Sequence, residues 1–370
     1  MLKAMRVGVD ARHSRLTRQD PVALFEQAIE RLKEADPAKG AQLEQRLEKM
    51  DRRLGEAMAQ VAHQPPWSRE RVAEVLTKGG SLAKSQLGGL DLAGIDFAGA
   101  DLRDATLKGA KLCKTRLAGC NLSGADLSRA DLTDADLSKA DLSRTDFSSA
   151  VVAGAAFVGA RLDRAIFAKL DLSATDFTDA AGTAADFTEA VLDGARFANA
   201  SLPRCRFSAA RAAGADFTEA ILAAADFAGA KAPGIIMEGA DLTNLRASSG
   251  ADFTEGRFAR AHAPRSVWQQ AVLDRADFSR TVLTQAQFPE ASLAAAVFDR
   301  AHLQGTNFED AVLSDARLTN ANLLRASLER ADLTRACVDG SNLYGAGLLD
   351  AALDEATFRG SFVAQTLLAQ

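Results

Sequence analysis

From Leu92 onward, every fifth residue of this chain is large and apolar. Leu92, Phe97, Leu102, Leu107, Leu112, Leu117 and Leu122 open a series that keeps phase to Leu242. After one extra residue a second series runs from Phe253 to Phe358. The two series hold 31 and 22 such centres, and 45 of the 53 are Leu or Phe. Two residues before the centre the chain carries Ala in 39 of 53 cases, and most of the others are Thr, Ser, Cys or Gly. Neither a helix nor a flat strand has a period of five. A chain with two inward positions in every five must turn a corner once per repeat. Four corners, and so four repeats, close a square coil. Each side points one large and one small side chain in and three residues out. Successive coils then pair like parallel strands, about 4.8 Å apart. The small residue is required because a narrow square cannot hold two large side chains per side.

Three features of the chain support the coil independently. Of the 19 Phe, 17 sit at centres; the exceptions are Phe25 and Phe362. Nine Phe from Phe147 to Phe227 recur at every second centre, so they line two opposite faces and leave Leu or smaller residues to the others. All four repeat prolines, Pro203, Pro233, Pro264 and Pro289, fall just after a centre, a corner slot whose N–H the ladder does not need. Residues 231–270 break the pattern. Ala232, Met237 and Ala263 replace Leu or Phe, Pro233-Gly234 and Ser248-Ser249-Gly250 look like loops, and Trp268 is too big for an ordinary centre. This stretch, with its phase break near 243–252, is either a bulge that contacts a partner or a tolerated insertion with local repacking.

The residues before the coil predict helices. Asp20-Pro21 and Asp36-Pro37 are helix-start signals. Val22, Phe25, Ile29 and Leu32 follow the first at helical spacing. Leu43, Leu47, Met50, Leu54, Ala57 and Val61 form an apolar seam after the second. Pro65-Pro66 breaks the hairpin. Ser68 caps a third short helix carrying Val72, Val75 and Leu76, which Gly79-Gly80 ends. The division is therefore a helical head at 1–80, a repeat coil at 81–362 and a tail at 363–370. The head carries 16 Lys/Arg against 12 Asp/Glu through residue 90, and the remainder 28 against 37. Interleaved acids favour a folded cap with solvated charges over a docking handle or a nucleic-acid contact.

The chain is poor in raw material for catalysis. It has four His and four Cys, and Cys113, Cys120, Cys205 and Cys337 show no CxxC spacing. They read as reduced thiols in a cytoplasm. Cys120 and Cys205 take the small inward slot on different faces. His262 and His302 lie two coils apart on one face, too far to share a metal. No catalytic, cofactor-binding or metal-ligating residue is assigned, no cofactor is expected, and no enzyme activity. There is neither an apolar run of membrane-helix length nor a signal-peptide stretch at the N-terminus.

The pattern Ala-Asp-Leu, as in Ala125-Asp126-Leu127 and Ala130-Asp131-Leu132, resembles the A(D/N)LXX motif of the pentapeptide-repeat family. The resemblance covers roughly residues 81–362. It implies an all-β solenoid, a right-handed quadrilateral parallel β-helix, preceded here by the small helical region. It also implies a bacterial protein-interaction scaffold with protein partners and no direct nucleic-acid site. The junction Pro65-Pro66-Trp67, with Leu90-Asp91-Leu92-Ala93-Gly94, is similar to that preceding the repeats in pentapeptide proteins of type VI secretion clusters, where the implied role is effector loading or spike assembly. Other family members mimic DNA and bind type II topoisomerases, which protects against quinolones. A DNA mimic needs a continuous negative stripe. Here Asp96, Arg116, Asp136 alternate in sign from coil to coil, as do Asp176, Arg196, Asp216 and Asp186, Arg206, Asp226, Arg246. Dimerising members join tail to tail, which implies a homodimer through residues near 353–370, with Phe362, Leu367 and Leu368 exposed; the alternative is that this short tail folds back over the core.

Overall fold

The computed structural model describes residues 66–366 and a few helical residues between 37 and 53. The chain divides into two compact units, residues 1–66 and 67–370. In the first, residues 37–39, 41–42, 45–46, 48–50 and 52–53 are helical and exposed, on the stretch that follows Asp36-Pro37. Met50, a member of the expected apolar seam, is 47% exposed. The helix expected from Asp20-Pro21 and the other seam residues lie outside the described residues.

The second unit opens with the helix Arg69–Thr77. The Ser68 side chain accepts from the Arg71 N–H and starts it. At its other end Gly79, at φ 66°, donates to the Leu76 carbonyl, and Gly80 donates to the Val75 carbonyl. That is the paired bonding with which a left-handed glycine closes a helix. Val72 is fully buried, and Trp67, Val75 and Leu76 pack against the core of the coil.

The coil follows from Leu82 onward. Parallel bridges join the residue before a centre to its equivalent four repeats on, from Gln86↔Thr106 to Asn342↔Phe362, with Val151 and Asp171 the one such pair in this run that is not bridged. The repeat around Leu127 shows how the backbone is satisfied. Asp126 donates its N–H to Ala105 O of the preceding coil at 3.0 Å. Leu127 and Arg129 donate to Asp146 O and Ser148 O of the next coil at 2.8 and 3.0 Å. The Ala130 N–H closes the corner onto Leu127 O at 3.0 Å. Arg129, third residue of that corner, has φ 60°. A type II turn demands such a value there.

The fifth N–H, that of Ser128, has no carbonyl to reach, and Asp126 Oδ1 accepts it at 2.9 Å. This is the physical reason for Asp or Asn before the centre: the carboxylate satisfies the one amide the ladder leaves over. The prolines confirm it. Pro203, Pro233, Pro264 and Pro289 occupy the slot of that spare amide, and the residues two before them are Ser201, Lys231, His262 and Gln287, none an Asp or Asn. Where the local carboxylate is absent, an aspartate one coil back can serve. Asp163, Asp193 and Asp274 accept from the N–H of Thr183, Ala213 and Ala294 at 2.9 to 3.1 Å.

The core is a single file of centres and alanines, nearly all fully buried. Phe147, Phe167, Phe187, Phe207 and Phe227 stack face to face, as do Phe157, Phe177, Phe197 and Phe217, with centroids 4.5 to 5.0 Å apart. The two stacks meet edge to face across the coil, as Phe167 and Phe177 do at 5.7 Å. Both geometries suit the aromatic quadrupole.

The phase break is one residue at one corner. Ser249 and Gly250 are both left-handed, at φ 61° and 69°. Bridges across it, from Lys231↔Asp252 to Arg246↔Val267, are one residue longer than the others, and from Asp252↔Val272 the ordinary register returns. The ladder does not open. The size expectation for Trp268 is corrected: it takes an ordinary centre and is fully buried. The lengthened register sets Ala247 above it, and Ala263 is the centre of the preceding side, so two small neighbours release the volume the indole needs. Its Nε1 donates to Ser266 Oγ at 2.7 Å. A further defect lies outside 231–270. Gly182 stands at a centre, and a Cβ there would lie 2.6 Å from the Leu162 carbonyl carbon.

Candidate functional site

A filled core leaves function to the outward residues of the coil: the one before each centre on the flat side, and the two after it at the corner. These form vertical columns at the ladder spacing, so charge is organised by register. Arg116 reaches Asp96 at 2.9 Å, Arg196 reaches Asp176 at 3.3 Å and Arg206 reaches Asp186 at 2.7 Å, each one coil apart. These are the alternating columns expected from the sequence. Corner residues pair in the same way: Arg275 with Glu255 at 2.9 Å, and Arg335 with Asp315 at 2.6 Å. Arg330 binds both Asp310 and Glu309. Exposed pairs of this kind each contribute at most about 1 kcal/mol. Their effect here is to break the negative surface into short lengths.

Hydroxyl residues act on the same carboxylates. Thr133, Ser173 and Thr334 donate their hydroxyls, and then their backbone N–H groups, to Asp131, Asp171 and Asp332, which holds these carboxyls below the usual carboxylate range. These aspartates are structural.

The thiols are placed as expected for Cys120 and Cys205, in the small inward slot and unpaired. Burial pushes Cys120 up to about 11 and Cys205 up to about 12, so neither is a nucleophile at neutral pH. Cys120 donates to Phe97 O at 2.7 Å. Cys113 and Cys337 are half-buried and unpaired. His262 and His302 are exposed on one face with Val282 between them in the ladder. Among the described residues no group of three His, Cys, Asp or Glu could hold a metal ion. No helix among them is long and apolar enough to cross a membrane.

One shallow hollow lies where the helix meets the coil, lined by Trp67, Ser68, Arg69, Leu90, Asp91 and Ala93. Arg69 ties its two walls together, donating to Asp91 O at 3.2 Å and Ala93 O at 2.7 Å. Arg71 lies over the Trp67 ring at 4.3 Å. The sequence pointed to both walls, Trp67 and Leu90 to Gly94, but not to the arginine that joins them.

The family description "Pentapeptide repeats" matches the chain in eight copies, over residues 81–117, 115–148, 145–180, 185–223, 220–258, 251–288, 276–315 and 311–348. No curated protein matches. Among solved structures the chain is similar to HetL, a pentapeptide repeat protein involved in heterocyst differentiation regulation in the cyanobacterium Nostoc sp. strain PCC 7120. Identity is 21% over 82% of this chain and 97% of that one, with a TM-score of 0.19. A pentapeptide repeat protein of the Arabidopsis thaliana thylakoid lumen is 34% identical over 35% of this chain and 77% of its own, with a TM-score of 0.14. Full-length QnrB1, a plasmid-mediated fluoroquinolone resistance protein, is 17% identical over 72% of this chain and 92% of its own, also with a TM-score of 0.14.

Proposed function

The chain belongs to the pentapeptide-repeat family, and from that premise we propose that it is a non-enzymatic protein-interaction scaffold. The supporting observation is the state of the coil. Its ladder amides are engaged along nearly the whole coil and its interior is filled, so what it offers a partner is four faces of fixed side chains on a stiff support. Substrate pockets need a concave apolar cavity with convergent polar groups. In this reading residues 1–80 are the head, 81–362 the scaffold and 363–370 the tail, in a bacterial cytoplasm. The setting is effector loading or spike assembly in type VI secretion, as the junction around Trp67 and Leu90–Gly94 suggests, and the coil pairs with a second copy through residues near 353–370. The alternating columns favour this reading over a DNA-mimicking, topoisomerase-binding one, because stacked opposite charges interrupt the stripe a mimic needs.

The test is affinity capture with the intact chain and with residues 67–370, the compact unit that keeps its capping helix. Captured proteins are identified and the interaction is repeated with purified components. A specific protein retained by one or both forms supports the scaffold. No retained protein beyond an unrelated control overturns it. Inhibition of gyrase supercoiling, or its protection from a fluoroquinolone, would establish the topoisomerase reading instead.

A further inference from the structure

One face departs from the charge pattern of the rest. It carries the residues at 260–265, 280–285, 300–305, 320–325 and 340–345, stacked in register through the bridges His262↔Val282, Val282↔His302, His302↔Asn322 and Asn322↔Asn342. None of these residues is Asp or Glu. Arg260, Arg280 and Arg300 line one corner, Arg265 and Arg325 the other, and His262 and His302 stand between; all seven are exposed. The N-terminal coils of the same face differ, with Asp101, Asp104, Asp141 and Asp163.

Most arginines elsewhere on the coil are held by a carboxylate one coil away. Here Arg260 shares Glu238 with Arg257, at 3.6 Å, and Arg265 donates to the uncharged Asn244 at 3.1 Å. Among the described residues Arg280, Arg300 and Arg325 have no carboxylate partner. Of the flanking acids, Asp299 is taken by Arg317 and by the Thr319 N–H, and the Asp277 carboxylate accepts the Ser279 N–H. At the upper edge Asp241 is engaged by Thr243. A column of three arginines at the ladder spacing, about 4.8 Å apart, is mutually repulsive. Its repulsion is relieved when carboxylates settle between the guanidinium forks.

We infer that this face is a docking surface for a short acidic segment of a partner protein, with its carboxylates on Arg280, Arg300 and Arg325. The inference rests on the scaffold reading and assigns it a face and a partner chemistry. Length selects the occupant. From Arg260 to the Asn320 row the patch spans about 15 Å of coil, which an extended peptide covers with about five residues. A nucleic-acid duplex carries one charge per about 1.7 Å and is longer and wider than the patch. It would run onto Asp241 along the axis, and onto Asp277, Asp299, Glu290 and Asp310 at the sides. Because the backbone of this face is committed to the ladder, recognition is by side chains and not by strand addition.

The test uses the full-length chain and a fluorescein-labelled octaglutamate peptide, read by fluorescence anisotropy at low salt, with a random-sequence DNA duplex as second probe. Arg280→Glu/Arg300→Glu/Arg325→Glu should weaken peptide binding by about tenfold or more. Arg280→Gln/Arg300→Gln/Arg325→Gln should show an intermediate loss. Arg129→Glu, at an exposed corner of another face, should leave binding unchanged. Unchanged thermal unfolding confirms that the variants are folded. Absence of peptide binding by the wild type, an equal loss in Arg129→Glu, or tighter binding of the duplex than of the peptide overturns the inference. Such failure leaves the scaffold reading standing, since affinity capture tests that separately and another face can serve.

Discussion

At the residue scale, the repeat is defined by what each slot must satisfy. The centre must be apolar and large. Leu127 is fully buried among other apolar groups, so Leu127→Asp strands a carboxylate with no partner and should cost about 4 kcal/mol or more. Thermal unfolding unchanged from wild type would refute the inward assignment. The slot before the centre must satisfy one spare amide. Asp277 accepts the Ser279 N–H at 2.8 Å and has no ion pair among the described residues, which makes it a clean case. Asp277→Ala should destabilise by about 1 kcal/mol. Ser279→Pro in that background should recover most of it, because proline removes the amide and suits the second position of a type II turn. A double-mutant cycle in denaturant measures this; a proline that adds to the damage contradicts the amide argument. The same aspartates set the acid response. Asp131, Asp171 and Asp332 titrate lower in the folded chain than their free values. Their contribution is therefore complete above the ordinary carboxylate range and is lost as pH falls through the depressed folded values. Melting temperature should hold steady from neutral pH to about pH 5 and then fall with further acid. A melting temperature that rises on acidification would reverse the sign.

At the scale of elements, the helix Arg69–Thr77 and the first coil depend on each other. A top coil with nothing above it presents unpaired ladder groups and apolar centres, which invite stacking between molecules. Val72 is the fully buried residue of that helix. A chain lacking residues 1–80 should aggregate, whereas one lacking only residues 1–66 keeps the helix and should stay dispersed. Light scattering on the two truncations separates a capping helix from a free docking module. Equal solubility of both would show that the helix does not cap. The corner at Ser248–Gly250 illustrates the opposite case, an element that absorbs a change. One extra left-handed residue lengthens the register of a single coil, and the ladder continues on both sides.

Over the whole molecule, a solenoid has two ends with different needs. The helix covers the first coil. At the last described coil Phe362 is 56% and Val363 51% exposed, and Leu353 and Phe358 are only partly buried. Leu367 and Leu368, also expected at this end, lie outside the described residues. In the homodimer reading a second copy covers these apolar side chains. Wild type then sediments as a dimer at micromolar concentration and Phe362→Glu/Val363→Glu as a monomer. A monomeric wild type excludes that reading.

Much of this protein was legible from one period. The centres, the alanine slot, the two Phe stacks, the proline slot and the Ser68 and Gly79 boundaries of the helix could all be read, because each follows from local volume or local backbone need repeated many times. The alternating charge columns could be read too, once the coil length was known. The fate of Trp268 could not. Whether an indole fits depends on Ala247 lying above it, and that depends on a one-residue shift at a corner. The acid-free face escaped the sequence reading for a related reason. Its arginines are scattered among acids along the chain, and only the stacking of five coils separates them from those acids in space. Sequence by itself determined what points inward, since burial acts on each residue in its own slot. Tertiary structure alone decided which residues meet across the phase break, since there the register between successive coils, ordinary along most of the ladder, is lengthened by one residue at a single corner.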